Sequence, residues 1–256
     1  MTIAQDRGKS AQDRLAALGQ MRVWSLIVTV FGDAILPRGG TAPSAALAEL
    51  TSALGIKPEA FRVALSRLTK DGWILRTRSG RHSFYRLSSR GMAEFGAAGG
   101  RIYARAPGHV DAWSLVHVPE GAPPAGFVDM GGRLWLGPAG AGVCPTGALA
   151  VNGTLAALPP WARARMASDD LVAGYRALLA ALGASAAEFE ATVDPLRAAV
   201  LRTLVVHQWR RLVLRHGDWP PEVFLDDWPG EDARSAVHRA LDMLREPSDA
   251  WFDAAV

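Results

Sequence analysis

The chain has 256 residues, of which 49% are hydrophobic and 21% charged, enough for a sizeable core and unlike a disordered tail or a stapled mini-protein. Its single cysteine, Cys144, excludes an intramolecular disulfide framework and a cysteine-based zinc cluster, and suits a reducing cytosol. The net charge of +3 hides an asymmetry: residues 1–105 hold 16 Lys and Arg against 7 Asp and Glu, and residues 106–256 hold 12 against 18. A basic head on an acidic body suggests a polyanionic partner, nucleic acid being the commonest, although a chain with 25 arginines and 3 lysines also acquires such patches by composition. The opening MTIAQDRGKS has no apolar core of the signal-peptide kind. The charge-free stretch 134–162 carries five glycines and four prolines, so it cannot cross a bilayer as one helix. A cytoplasmic location without a membrane partner is the expectation.

Residues 1–20 lack a sustained apolar period and read as a flexible arm or frayed helix. The run MRVWSLIVTVFGDAIL, 21–36, is apolar nearly all round and predicts a helix buried by others. Leu47, Leu50 and Leu54 then recur at helical spacing before Gly55. A third helix begins at Pro58, with Phe61, Leu65 and Leu68 on one face and Arg62, Ser66, Thr69 and Lys70 on the other. From Trp73 the period changes to alternation on either side of Ser79-Gly80-Arg81, predicting a β-hairpin. Phe84 and Tyr85 must point to opposite faces of its second strand, and Trp24 and Trp73 are taken as core. Three helices and a basic hairpin are the element order of a winged helix-turn-helix. Lys57, Arg62, Ser66, Arg67 and Lys70 would then face a major groove, and Arg76, Arg78, Arg81 and Arg86 would meet phosphates or a minor groove. The alternative is an ordinary solvated face.

The strings SLIVTVFGDAI, FRVALSRLTKDGWILRTRSGRHSFYRLSSRG and RIY at 101–103 resemble the N-terminal domain of the PaaX family of phenylacetate-catabolism transcriptional regulators. LRTLVVHQWRRLVLRH and WPPEVFLDDWPGEDAR resemble that family's C-terminal domain. The resemblance implies a homodimeric repressor that binds a double-stranded DNA operator and no cofactor, and is released by a small-molecule effector, phenylacetyl-CoA or a related acyl-CoA. The middle departs from the family pattern. AWSLVHVPE looks like the opening strand of a ferredoxin-like, Cas2-like domain, but only residues 121–126 separate it from GFVDMGGRLWLGP, too few for the helix that the pattern places there. A trimmed middle domain is expected, with hairpins around Gly131-Gly132 and Asn152-Gly153 and a helix over 168–182. The fold class is therefore α+β: an arm over 1–20, a winged helix-turn-helix over 21–105, a trimmed middle over 106–186 and a helical domain over 187–256.

In the last of these, Asp194 and Pro195 open a helix of about 22 residues. A loop rich in Pro and Trp follows, and an amphipathic helix is predicted over 231–244. Arg202, His207, Trp209, Arg210, Arg211, Arg215 and His216 are candidates for an effector site, because a CoA thioester needs cations for its phosphates and an apolar or aromatic slot for its acyl group. Trp219 and Trp228 are further stacking candidates. The competing reading pairs these arginines with Asp226, Asp227, Glu231 and Asp232. No HExxH, GxSxG, Walker or paired metal-ligand pattern occurs. GPAGAG at 137–142 reads as a flexible loop and Cys144 as a buried or incidental thiol. Two rival functions stay open. One is a Cas2-like nucleic-acid-processing enzyme, with Asp111 as its nearest carboxylate. The other is a DNA-binding protein without an effector.

Overall fold

The structure, a computed structural model, describes residues 8–122, 124–142 and 144–256. Helix α1 (Ala11–Ala16) opens on a capping box between Ser10 and Asp13, and its Ala11 and Leu15 are fully buried. Part of the expected arm is thus an ordered element, because two apolar residues four apart supply a small face that docks on the C-terminal helices. Helix α2 (Val23–Val30) runs on into a π-helical turn, Phe31–Ile35, and a 3₁₀ turn, Leu36–Arg38. The widened turn coincides with close packing: a Cβ at Gly32 would lie 2.2 Å from the Phe95 ring.

Strand β1 (Thr41–Pro43) leads into α3 (Ser44–Ala53), and α4 (Pro58–Lys70) buries Phe61, Ala64, Leu65 and Leu68. Strands β2 (Ile74–Ser79) and β3 (His82–Leu87) form the predicted hairpin, closed by Gly80 at φ +59, the first position of a two-residue loop where glycine is favoured. β1 adds to β3, giving the order β1-β3-β2. Tyr85 is buried and Phe84 half-buried, and Trp24 and Trp73 pack partly buried against the core. Helix α5 (Ser89–Tyr103) follows, with the Ser88 hydroxyl accepting from the Gly91 N–H.

The middle holds an antiparallel sheet of β4 (Trp113–His117), β5 (Val128–Gly131), β6 (Leu134–Pro138) and β7 (Leu149–Gly153), in the order β5-β6-β4-β7. The short gap before β5 holds no helix among the described residues, as the sequence requires. All the strand pairs are antiparallel, but only β5 and β6 are joined as neighbours; the β4–β5 and β6–β7 connections each pass over one strand. Gly131, Gly132 and Arg133 turn the chain with positive φ. Asn152 and Gly153 make no second hairpin: they pair with Ser114 and Trp113 at the end of the edge strand β7.

Helix α6 (Pro160–Met166) packs beside this sheet, and α7 (Asp169–Glu190), capped by Ser168, runs beyond the predicted 182. The expected boundary at 186 falls inside α7, whose Leu171, Tyr175, Leu178 and Phe189 share one core with α8 (Pro195–Val213), α9 (Gly230–Ala255) and the head. The sheet has a second, smaller core built on Trp113, Leu136, Met166, Trp219 and Phe224. Helix α9 continues past the predicted 244 and through Pro247. The missing backbone donor is tolerated because Ser248, Trp251 and Phe252 beyond it are buried and Asp249 and Asp253 pair with Arg38.

Candidate nucleic-acid interface

The apolar seat of α4 fixes which arc of that helix faces out. Lys57, Arg62, Ser66, Arg67, Thr69 and Lys70 are exposed on it, and so is Val63, at 69%. Val63 was absent from the predicted set, although its position beside Arg62 on the same arc could have shown it, and an apolar group there suits a thymine methyl. Arg62 reaches Glu59 at 2.8 Å and Arg67 reaches Asp71 at 3.5 Å, both exposed pairs that stabilise little and can exchange for a phosphate or base edge.

A groove of about 590 Å³ separates α4 from the hairpin and is lined by Arg62, Ser66, Lys70 and Arg76 over a floor of Phe61 and Tyr85. The register sets Arg76 opposite Tyr85 and Arg78 opposite Ser83, so both share the groove face, and Arg76 donates to the Ser83 hydroxyl at 2.7 Å. Arg86, opposite Leu75, lies on the other face. Arg81 stands at the tip. The four hairpin arginines, adjacent in sequence, are therefore distributed over two faces and a turn. The side chains of Lys57, Lys70, Arg78, Arg81 and Arg86 have no hydrogen bond or ion pair among the described residues.

The C-terminal candidates do not converge. Trp209 is 1% exposed and donates its indole N–H to the Ile102 carbonyl at 2.8 Å. His207, also 1% exposed, meets the Thr29 hydroxyl at 3.1 Å through Nδ1. Burial, reinforced by Arg210 and Arg211, pushes its pKa down to about 3. Arg210 donates to Thr29 Oγ1 and the Ser25 carbonyl at 2.9 and 3.2 Å. Arg202 is clamped between Asp33 and Asp249, each at 2.8 Å, and Asp33 also accepts from the Tyr103 hydroxyl at 2.7 Å. Arg211 bonds Gln208, and Arg215 bonds Asp170. The acids expected to hold these arginines pair elsewhere: Asp226 with Arg163, Asp227 with Arg176, Glu231 with Arg234. Thus the FGD turn, the RIY segment and the HQWRR helix, far apart in sequence, meet in one buried junction.

Arg215 and His216 line one cavity, about 460 Å³ in volume, with Arg101 and Arg165, which sequence reading missed, and Arg211 and Arg215 line a smaller one of about 310 Å³ beside Asp170. His216 is held in a ring cluster with Tyr175, Phe224 and Trp228, and burial lowers its pKa to about 4. Trp219 and Trp228 pack inward. Asp111 stands exposed beside His109. Among the described residues no group of three or more His, Cys, Asp or Glu could hold a metal, and no helix is long and apolar enough to cross a membrane.

Residues 22–91 match the family described as PaaX-like protein, and residues 167–254 match the PaaX-like protein C-terminal domain. The second match starts close to α7. The chain is 30% identical over 246 residues to the transcriptional repressor PaaX of Escherichia coli (strain K12), covering 82% of this chain and 76% of that one. Among solved structures, the uncharacterized protein Rv0674 from Mycobacterium tuberculosis aligns with a TM-score of 0.53 at 20% identity, over 89% of this chain and 97% of that one. That likeness concerns the fold alone. With an identity of this extent to a repressor, and both ends matched by the family's own domains, the chain belongs to the PaaX family of regulators rather than to an enzyme family.

Proposed function

We propose that the chain is a transcriptional repressor whose residues 21–105 act as a winged helix-turn-helix on double-stranded operator DNA. Helix α4 lies in the major groove and the β2–β3 hairpin serves as the wing. The observation that carries this reading is the groove itself: the polar arc of α4 and Arg76 of the hairpin line it together, with Arg78 on the same strand face, on the basic end of the chain. A homodimer formed through the body leaves both faces free and presents two α4 helices about 34–36 Å apart, one duplex turn, to an operator with two-fold character. The effector is an aryl- or acyl-CoA, phenylacetyl-CoA among them, whose binding to the body lowers operator affinity.

Band-shift titration of operator and random DNA at several salt concentrations tests the reading. Arg78→Ala and Arg81→Ala are expected to weaken binding to every sequence and to lower the salt slope by about one unit each. Arg62→Ala and Val63→Ala are expected to cost about 1–3 kcal/mol on operator DNA and little on random DNA. Unchanged affinity in all four variants would remove this surface from consideration.

A further inference from the structure

The cavity at the end of α5 differs in charge from the other large clefts of the body. Its walls come from the C-terminal end of α5, the turn leading into β5, the α6–α7 junction and the end of α8. Arg101, Arg165 and Arg215 line it, and among the described residues no carboxylate does. Arg101 donates to the main-chain carbonyls of Val213 and His216, and its Nε is buried without a partner. Arg165 donates to the Asp129 carbonyl at 3.2 Å. Arg215 pairs with Asp170, which is 81% exposed and so compensates weakly, and the charge of Asp218 acts on Arg101 without an ion pair, burial still outweighing it and lowering the Arg101 pKa. By contrast, the cleft between the π-helical turn and α9 also gathers three arginines, Arg105, Arg202 and Arg245, but lines them with Asp33 and Asp249, and Asp242 holds two of them from outside. The first cavity is lined by three cations and no carboxylate, within a body of net negative charge. The second is neutralised by the protein itself.

We infer that the cavity lined by Arg101, Arg165 and Arg215 binds a small organic anion, a carboxylate or phosphate ester, with its charged group among the guanidiniums and its apolar part against Phe127, Met166 and Leu171. Guanidinium groups suit both anions because their N–H donors fork onto paired oxygens. The volume, about 460 Å³, suits a ligand of one or two rings or one end of a larger molecule. Ser168 caps the 22-residue α7 on the same wall, its hydroxyl accepting from the Leu171 N–H, and Asp169 and Asp170 in the first turn offset the field of that helix end. The site is coupled to DNA by α5. Arg101 sits near the C-terminal end of that helix and the wing strand β3 runs into its N-terminal end, so an anion that draws Arg101 away from the two carbonyls loosens the anchor of the helix that supports the wing. This coupling rests on the repressor reading above, whereas anion binding does not.

Calorimetry and thermal unfolding of the full chain with sodium benzoate, phenyl phosphate and inorganic phosphate test the site, and band shifts with the same probes test the coupling. Benzoate or phenyl phosphate is expected to bind and raise the unfolding midpoint, the tighter of the two naming the anion class. Arg165→Gln with Arg215→Gln should weaken that binding about tenfold or more without moving the ligand-free midpoint. Arg105→Gln with Arg245→Gln, in the neutralised cleft, should leave it unchanged. Absence of binding by all three probes, or equal loss in both double variants, overturns the site. Inorganic phosphate binding as tightly as phenyl phosphate, with benzoate silent, overturns the role of the apolar wall. Probe binding with unaltered operator affinity keeps the site and overturns its coupling to DNA. Failure of the unliganded chain to bind any DNA overturns the repressor reading and leaves the anion site standing.

Discussion

Asp33 is 6% exposed, with Arg202 and the Tyr103 hydroxyl bonded to its carboxylate. Burial alone would depress the Arg202 pKa, but Asp33 and Asp249 outweigh it and hold the guanidinium above its ordinary value. Removing one partner of such a pair strands the other in the interior, so Asp33→Asn is expected to cost about 3–5 kcal/mol in urea unfolding. Glu59→Gln, in an exposed pair with Arg62, should cost less than about 1 kcal/mol. The buried histidines give a pH signature. His207 and His216, held neutral with pKa values lowered to about 3 and about 4, take up protons in the unfolded chain near pH 6.5 but not in the folded one. Stability is therefore fully present above pH 6.5 and falls as the pH drops toward those values. At pH 5 the loss is on the order of 2 kcal/mol for each histidine. Unfolding midpoints from pH 7.5 to 5 should show it, and His207→Gln should flatten the slope by about half.

Helix α5 tests how glycines act at the level of an element. A Cβ on Gly91 would lie 2.5 Å from the Trp73 carbonyl oxygen, whereas one on Gly96 would meet nothing within 4 Å. Gly91→Ala is expected to destabilise by about 1–3 kcal/mol because the obstacle is backbone, and Gly96→Ala to stabilise by about 0.5–1 kcal/mol through helix propensity. Equal effects in thermal unfolding would refute the assigned packing. The same glycines explain why α5 was not legible in the sequence. Gly91, Gly96, Gly99 and Gly100 lower its propensity, and only tertiary contacts, Phe95 on Gly32 and Trp209 on the Ile102 carbonyl, make a helix of it. Elements with strong local signals were legible: the Pro58 start of α4, the alternating hairpin and the Asp194 cap of α8 lie where spacing put them. β1 was not, since three residues acquire strand geometry only by pairing with β3. Of the candidate binding surface, the composition of α4 and the hairpin was readable, but the separation of Arg86 from Arg76 and Arg78 required the register. The scatter of the C-terminal arginines was beyond reach, because their partners lie up to 185 residues away.

Across the whole molecule, part of the head's positive charge serves the fold. Arg14 pairs with Glu188, Arg38 with Asp249 and Asp253, and Arg105 with Asp242, each a cation of the basic end against an acid of the body. α2, α3 and α5 pack on α8 within one core, so the head is not the separable domain that its charge and motifs suggest. An isolated 21–105 fragment should unfold at a lower temperature than the head within the intact chain, or aggregate, as followed by circular dichroism. An equal midpoint would restore the separable domain. The exposed edge strand β7 is different: its Leu149 and Val151 are 65% and 60% exposed, and no charged residue occurs between 134 and 162. An edge of this kind invites pairing with another chain. Leu149→Lys should therefore lower self-association measured by light scattering, without shifting the unfolding midpoint.

The anchoring of α5 has a mechanical consequence. Fifteen residues make a rod about 22 Å long, pinned near one end by Ile102 against Trp209 and fitted at the other beneath the carbonyl of Trp73. A tilt of about 5° around the pinned end carries the far end through about 2 Å, which exceeds the tolerance of a hydrogen bond to a base edge. In such a lever the distant pivot would tune the proposed operator affinity without any change in the side chains proposed to meet the DNA.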